Sequence, residues 1–471
     1  MSSIRKKFGL VDSTDIDNLI DDCYNIFNDE KDINSLVLNA INYIGPPENI
    51  PNVFFNLNTG GVQLSKYETY AALWSQPLFK ITDKELLDII KNKYHQLEKD
   101  SDLEVDFNED DLLNNGISLF EFCYSLSGII REKFALLFGN NTKSTDPIGF
   151  EILTLILGKK VNQADKLSDL LKDCNPSGDF LLALKNMIIQ SLSVINKSLE
   201  KLLMGLNKTY LYSDNMYMIY HIIISYIKES YSIDIDNEII TPITTRLPRK
   251  DFENYLPLHY FYDCITDYWK ANRQVSDLHR DINDDTKRKK YWYAIADQDW
   301  DLGIASFMSS QETVNKTIPQ KNKLFVDFLT KLKIKENMKF YTEFYTSNDV
   351  SNLDFEHITP QKAIVSHVND LTTSQQKVYP ISSVGNLCYL SVKDNRSKRD
   401  KTIYEWVDDR PSYTFDKEYL DFILYPTETD LSFIKYNNLQ FRTEYDRFIH
   451  QRQTEMQNEF LTLIKKYSGL L

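Results

Sequence analysis

The sequence predicts a mainly α-helical protein with a small α+β segment at the C-terminal end. Three observations carry that expectation. Glycine and proline number only 14 each in 471 residues, too few for a loop-rich or all-β chain. Apolar residues recur at helical spacing up to about residue 330. Beyond that point short aromatic and threonine-rich runs take over, which suits strands. With 42% hydrophobic and 26% charged residues the composition is globular. The length is ample for a buried core and suggests roughly two to four domains.

The elements follow in order. Ile16, Leu19, Ile20, Cys23, Ile26 and Phe27 predict a helix over 15–27. A second helix over 33–44 is stopped by Gly45-Pro46-Pro47. The segment 54–65 runs from an apolar stretch into Gly60-Gly61 and then Ser65, which can cap a helix over 66–75. Thr82 and Glu85 have capping-box spacing for a helix through Leu97. Residues 100–111 read as an acidic loop. Buried helices are expected over 117–137 and 148–157, with more over 166–173, 180–206 and 216–232. Residues 233–250, with Pro242 and Pro248, read as a connector, and 258–270 and 288–308 as helices. Strand character returns at 339–346, 354–360 and 385–392, and helices are expected over 394–407 and 438–467. There is no internal repeat.

Charge and cysteines narrow the function. Lys plus Arg is 54 against 68 for Asp plus Glu, a net charge of −14. That excludes a protein coating nucleic acid or anionic membrane along its length, but not a local basic site. Cys23, Cys123, Cys174, Cys264 and Cys388 are scattered and odd in number, which argues against a disulfide framework or a zinc knuckle. A reducing, cytoplasmic location is expected. Arg5, Lys6 and Lys7 are followed by no apolar stretch of a signal peptide. The most apolar run, 216–226, is shorter than the roughly 20 residues of a membrane span, so no membrane partner is expected.

The chemistry is concentrated in 356–401. Glu356-His357-Ile358-Thr359-Pro360-Gln361 is followed by Gly385-Asn386-Leu387 and then Asp394-Asn395-Arg396-Ser397-Lys398. The order is strand, loop, strand, helix. A hairpin and helix can converge one imidazole and several oxygen ligands on one divalent ion, as phosphodiester hydrolysis requires. A lone His-x-x-Pro would be weak, and a histidine beside a carboxylate is usually structural; three elements in order are stronger. Lys393, Arg396, Lys398, Arg399 and Lys401 outnumber Asp394 and Asp400 by three, which suits phosphate contacts by Lys393, Arg396, Lys398 and Arg399. The plainer reading is a solvated helix face. His367 fits no element and reads as a loop residue. Lys287-Arg288-Lys289-Lys290 reads as a surface feature.

These elements resemble the HNH (ββα-metal, His-Me finger) nuclease family. In particular they look like the C-terminal domain of GmrSD-type modification-dependent restriction and phage-defence proteins, and a similar pattern occurs in RNA-guided CRISPR nucleases. The resemblance implies a metal-dependent DNA endonuclease or nickase using Mg²⁺ or Mn²⁺, with DNA as partner. It implies His357 as general base, Asn386 orienting its ring, Glu356 and Asn395 as metal ligands, and Pro360 setting the loop. The last position is Asn where the His-Asn-His form has His; an amide oxygen can still ligate Mg²⁺.

Asn58-Thr59-Gly60-Gly61-Val62-Gln63-Leu64-Ser65 is similar to an element of the ParB-like domain of the same family, though a helix C-cap and turn would also explain the glycines. The family's upstream Asp-Gly-x-Gln-Arg element, associated with nucleotide use, is not found, and only about 57 residues precede Asn58. No Walker A loop occurs either. NTP hydrolysis by this chain alone is therefore doubtful, and a separate subunit is expected to supply the upstream half if one is used. The resulting division is 1–75 as a ParB-like remnant, 76–330 as a helical body and 331–471 as the nuclease domain with C-terminal helices. Two strand cuts usually need two sites, so a homo-oligomer fits a double-strand cutter. The rival readings are a non-catalytic specificity or regulatory subunit with a relic nuclease fold, and a truncated pseudo-enzyme.

Overall fold

The computed structural model describes residues 70–71, 74–100, 107–139, 147–174, 176–202, 216–244, 247–269, 274–337, 353–391, 395, 398–408 and 416–467. The chain divides into two units, Met1–Leu64 and Ser65–Leu471, and the described residues all belong to the second. The helices expected at 15–27 and 33–44, the ParB-like segment 54–65 and the run 339–346 lie outside them.

The unit is mainly helical, with three two-stranded antiparallel pairings among the described residues. It begins with β1 (Leu78–Phe79), α1 (Lys84–Asp100), α2 (Glu109–Asn115), β2 (Ile117–Ser118) and α3 (Leu119–Lys133). Then come α4 (Ala135–Phe138), α5 (Ile148–Ile156), α6 (Lys166–Cys174), α7 (Gly178–Glu200) and α8 (Met216–Ser230). A hairpin, β3 (Tyr231–Asp234) and β4 (Ile239–Pro242), leads to α9 (Arg249–Ile265), α10 (Val275–Asn283) and α11 (Asp285–Lys289). The next two are α12 (Asp297–Ser309) and α13 (Gln320–Glu336). The C-terminal part holds β5 (Leu353–His357), α14 (Gln361–His367), α15 (Thr373–Lys377) and β6 (Leu387–Ser391). It closes with α16 (Ile403–Asp408), α17 (Lys417–Phe422) and α18 (Asn438–Tyr467).

Local chemistry sets the helix starts. Asp83, rather than Thr82, caps α1 by accepting the Leu86 N–H at 3.0 Å. The same carboxylate takes the buried Lys185 ammonium of α7 at 2.7 Å, tying the two helices. Ser118 and Glu121 form a reciprocal capping box on α3. Among the described residues one helix, α7, is long and apolar enough to cross a membrane by length and composition. Its Phe180, Leu184, Ile188, Leu192, Ile195 and Leu199 are buried in the core.

Three local expectations change. The stretch 233–250 is not a plain connector, because its first part closes a hairpin in which β3 pairs with β4. Asp234 accepts from the Asn237 backbone N–H at 3.0 Å and side chain at 2.8 Å, closing the turn, and Pro242 is tolerated at the end of an edge strand. The helix expected from 258 begins at Arg249 and contains Pro257. The helix expected over 288–308 is two helices, broken by a 3₁₀ turn at Lys290–Trp292 and restarted at Asp297.

The two parts expected on either side of residue 330 share packing. Helix α13 runs through that position. On α18, Phe460 is fully buried with its ring 5.3 Å from Phe261 of α9 and 5.1 Å from Phe325 of α13. Burying such a ring contributes roughly 1.5–3 kcal/mol. Val384, Leu387 and Tyr389 join this same core. A second cluster, including Ile358, Ile364, Ile381, Phe441 and Ile449, lies under the β5–β6 hairpin.

Candidate active site

Strand β5 pairs with β6 so that Glu356 stands opposite Cys388 and His357 opposite Leu387. Consecutive strand residues send their side chains to opposite faces. Glu356 and His357 therefore meet different neighbours.

Glu356 meets the segment after β6. Asn395 and Lys398 are helical and three residues apart, hence on one side of a turn. The Asn395 amide hydrogen-bonds the Glu356 carboxylate. The Lys398 ammonium pairs with Glu356 Oε1 and donates to the Lys401 carbonyl at 3.1 Å. Burial holds the Glu356 carboxyl above the ordinary carboxylate range, while the Lys398 ammonium and Asn395 amide pull it down.

This corrects the expectation for Lys398. Its side chain is 0% exposed, so it is not a phosphate contact on a solvated face. A buried carboxylate needs a cation or donors, and Lys398 supplies both. Arg399 is exposed, with a left-handed φ of 53°, and there the helix expected over 394–407 breaks before restarting as α16. Lys393 and Arg396 lie outside the described residues.

His357 meets Ser382 and Gln361, both of which bond the Lys316 carbonyl. Its Nε2 is 2.9 Å from Ser382 Oγ and 3.2 Å from Gln361 Nε2. Ser382 Oγ donates to the Lys316 carbonyl at 2.8 Å, and Gln361 Nε2 donates to it at 3.1 Å. With its hydrogen on Nε2, the ring donates to Ser382 and leaves the Nδ1 lone pair able to take a proton. Burial, and then the Lys398 ammonium, push the imidazole down to about 4. It is neutral at pH 7.

Asn386 acts on the backbone instead of the ring. Its Oδ1 accepts the Thr359 N–H at 2.8 Å, and its Nδ2 donates to the carbonyls of Thr359 at 3.1 Å and Ile381 at 2.9 Å. The expected imidazole contact is replaced by a clamp on the loop that follows His357. Pro360 stands at the N-cap of α14 and starts it, as its fixed φ favours. Gly385 is needed because a Cβ there would lie 2.7 Å from the Ile449 carbonyl of α18.

Several supporting residues gave no sequence signal. Arg452 of α18, 3% exposed, donates to the carbonyls of Gly385 at 2.9 Å, Leu387 at 2.7 Å and Leu424 at 2.8 Å. Burial lowers its guanidinium to about 10. Asn322 of α13 holds the Ser382 carbonyl at 3.0 Å, and Gln311 accepts the Val384 N–H at 3.2 Å. Ser382 carries no pattern around it that marks it as a neighbour of His357. His367 is not in a loop: it ends α14, stacks on Phe441 at 4.1 Å and lies 3.1 Å from Asn438 Oδ1.

Among the described residues no cluster of three His, Cys, Asp or Glu side chains forms. The converging donors are one carboxylate and one amide, both oxygen ligands suited to a hard cation. Glu356 and Asn395 thus fit such an ion, and the group that competes for the same carboxylate is Lys398. No family model, no curated protein and no solved structure matches the chain.

Proposed function

We propose that this chain is a metal-dependent DNA endonuclease or nickase of the HNH type, acting in the cytoplasm as part of a restriction or phage-defence system. The observation that carries this reading is the β5–β6 hairpin, which holds Glu356 against Asn395 and ends in a neutral His357. His357 takes a proton from water as that water attacks the phosphorus, and the phosphodiester's leaving oxygen departs on the opposite side. Ser382 holds the ring, and Asn386 fixes the loop behind it. Glu356 and Asn395 would hold Mg²⁺ or Mn²⁺, which when bound would supply positive charge near the leaving oxygen. Arg399, exposed next to Lys398, is placed to meet a phosphate.

Two observations favour a second reading, a non-catalytic specificity or regulatory subunit with a relic nuclease fold. Lys398 already neutralises Glu356, and His357 leaves the strand on the other face. A cleavage assay separates the two. Supercoiled DNA, modified and unmodified, is incubated with the full chain in Mg²⁺ or Mn²⁺. Nicked or linear product that disappears with EDTA supports the enzyme; intact DNA under every condition supports the subunit.

A further inference from the structure

Lys398 and a divalent cation need the same carboxylate. The Lys398 side chain is 0% exposed, and its ammonium bridges Glu356 and the Lys401 carbonyl. Asn395 sits on the same turn and also bonds Glu356. A carboxylate 14% exposed is satisfied by one close cation. An ammonium and a divalent ion together on it would set like charges side by side in a site of low dielectric. Each therefore excludes the other unless the 398–401 segment moves. That segment turns at Arg399, whose left-handed backbone separates it from α16.

We infer that Lys398 is a resident cation that closes the Glu356–Asn395 site, so that divalent metal binds only when its ammonium is displaced. This rests on the nuclease reading for the purpose of the site, but not for the competition itself. The arrangement gives the protein a rest state in which Glu356 is paired and the nuclease centre lacks its metal. An event that draws Lys398 away, such as phosphate engagement at Arg399 beside it, would open the site.

The test is direct binding of Mn²⁺ alone to the full chain, followed by loss of the free-ion electron paramagnetic resonance signal. Lys398→Gln is expected to bind Mn²⁺ at least about tenfold more tightly than wild type, and to gain more thermal stability on Mn²⁺ addition. The double variant Glu356→Gln with Lys398→Gln, which removes both charges, is expected to lose that gain. Lys398→Gln binding no more tightly than wild type overturns the inference, as does tight binding that survives in the double variant. If Lys398→Gln does not fold without metal, circular dichroism with millimolar Mn²⁺ decides. Recovery of the helical signal supports the competition, and no recovery overturns it. Cleavage is measured in parallel on wild type. Tighter Mn²⁺ binding by Lys398→Gln without any DNA cleavage keeps the competition and removes the nuclease. Wild-type cleavage with unchanged Mn²⁺ affinity in Lys398→Gln does the reverse.

Discussion

Two buried histidines, one in the helical body and one in the hairpin, have similar electrostatics and different surroundings. His221 on α8 is 1% exposed, lies 2.8 Å from the Tyr291 hydroxyl through Nδ1, and has its ring 5.1 Å from Trp269. Burial pushes it down to about 3, and its Nε2 is an orphan in the core. His357 is lowered to about 4, again chiefly by burial, but its neighbours are a serine, a glutamine and the field of Lys398. A depressed imidazole therefore does not mark a site by itself. What separates His357 is the carboxylate–amide pair one residue away and a hairpin whose loops are fixed from three sides. The two basic runs make the same contrast. In the helical body Lys287 pairs with Asp281, Arg288 with Glu229, Lys289 with Asp285 and Lys290 with Asp263. Near the hairpin Lys398 is likewise consumed, and Arg399 is left exposed.

The largest test of the contrast is Glu356→Gln, which removes the carboxylate proposed to hold the metal. Metal-dependent cleavage should fall by about 10³-fold in protein whose helical signal matches wild type, and stability should drop by about 3–5 kcal/mol because the Lys398 ammonium loses its buried partner. Unchanged cleavage would break the contrast. Next, Arg452→Met withdraws donors from the Gly385, Leu387 and Leu424 carbonyls and should cost about 3–5 kcal/mol in denaturant unfolding, because each carbonyl is left buried. His221→Ala should cost about 3 kcal/mol through the cavity and the stranded Tyr291 hydroxyl, with no loss of cleavage by the folded protein.

Acid adds a weaker test. Buried His221, His259 and His357 have folded values of about 3, 4 and 4, below the unfolded value near 6.5. Between those values the unfolded chain binds more protons, so stability is fully present above about 6.5 and falls as pH drops toward 4. For His357 the loss amounts to about 3 kcal/mol at the acid end. Denaturation midpoints measured across that window should show a shallower slope in His357→Gln than in wild type. The smallest expected effect is Arg399→Ala, which should weaken DNA binding about threefold and reduce its salt dependence slightly.

Much of this was legible in the sequence. The helical content followed from periodicity and scarce glycine, and α18 matches its expected span, 438–467. β6 lay within its expected stretch, 385–392, and β5 overlaps its own, 354–360, starting one residue earlier at Leu353. The rest depended on tertiary contacts that no local pattern encodes. Lys398 looked like one of several surface cations, and only the fold turns its ammonium inward to Glu356. Asn386 was expected at the ring because the family resemblance implies it, and its spacing says nothing about direction; it clamps Thr359 and Ile381. Pro257 obscured α9, and the alternation in β3 was too short to stand out beside two prolines. Ser382 and Arg452 reach the site from distant positions in the chain.

The central claim is that His357 is the proton acceptor of a nuclease centre, and one experiment addresses it most directly. Purified wild type and His357→Ala, matched for helical signal, are incubated with plasmid DNA in Mg²⁺ and in Mn²⁺. Wild type should cut, EDTA should stop it, and His357→Ala should be slower by about 10²–10⁴-fold. His357→Ala cutting as fast as wild type would contradict the account.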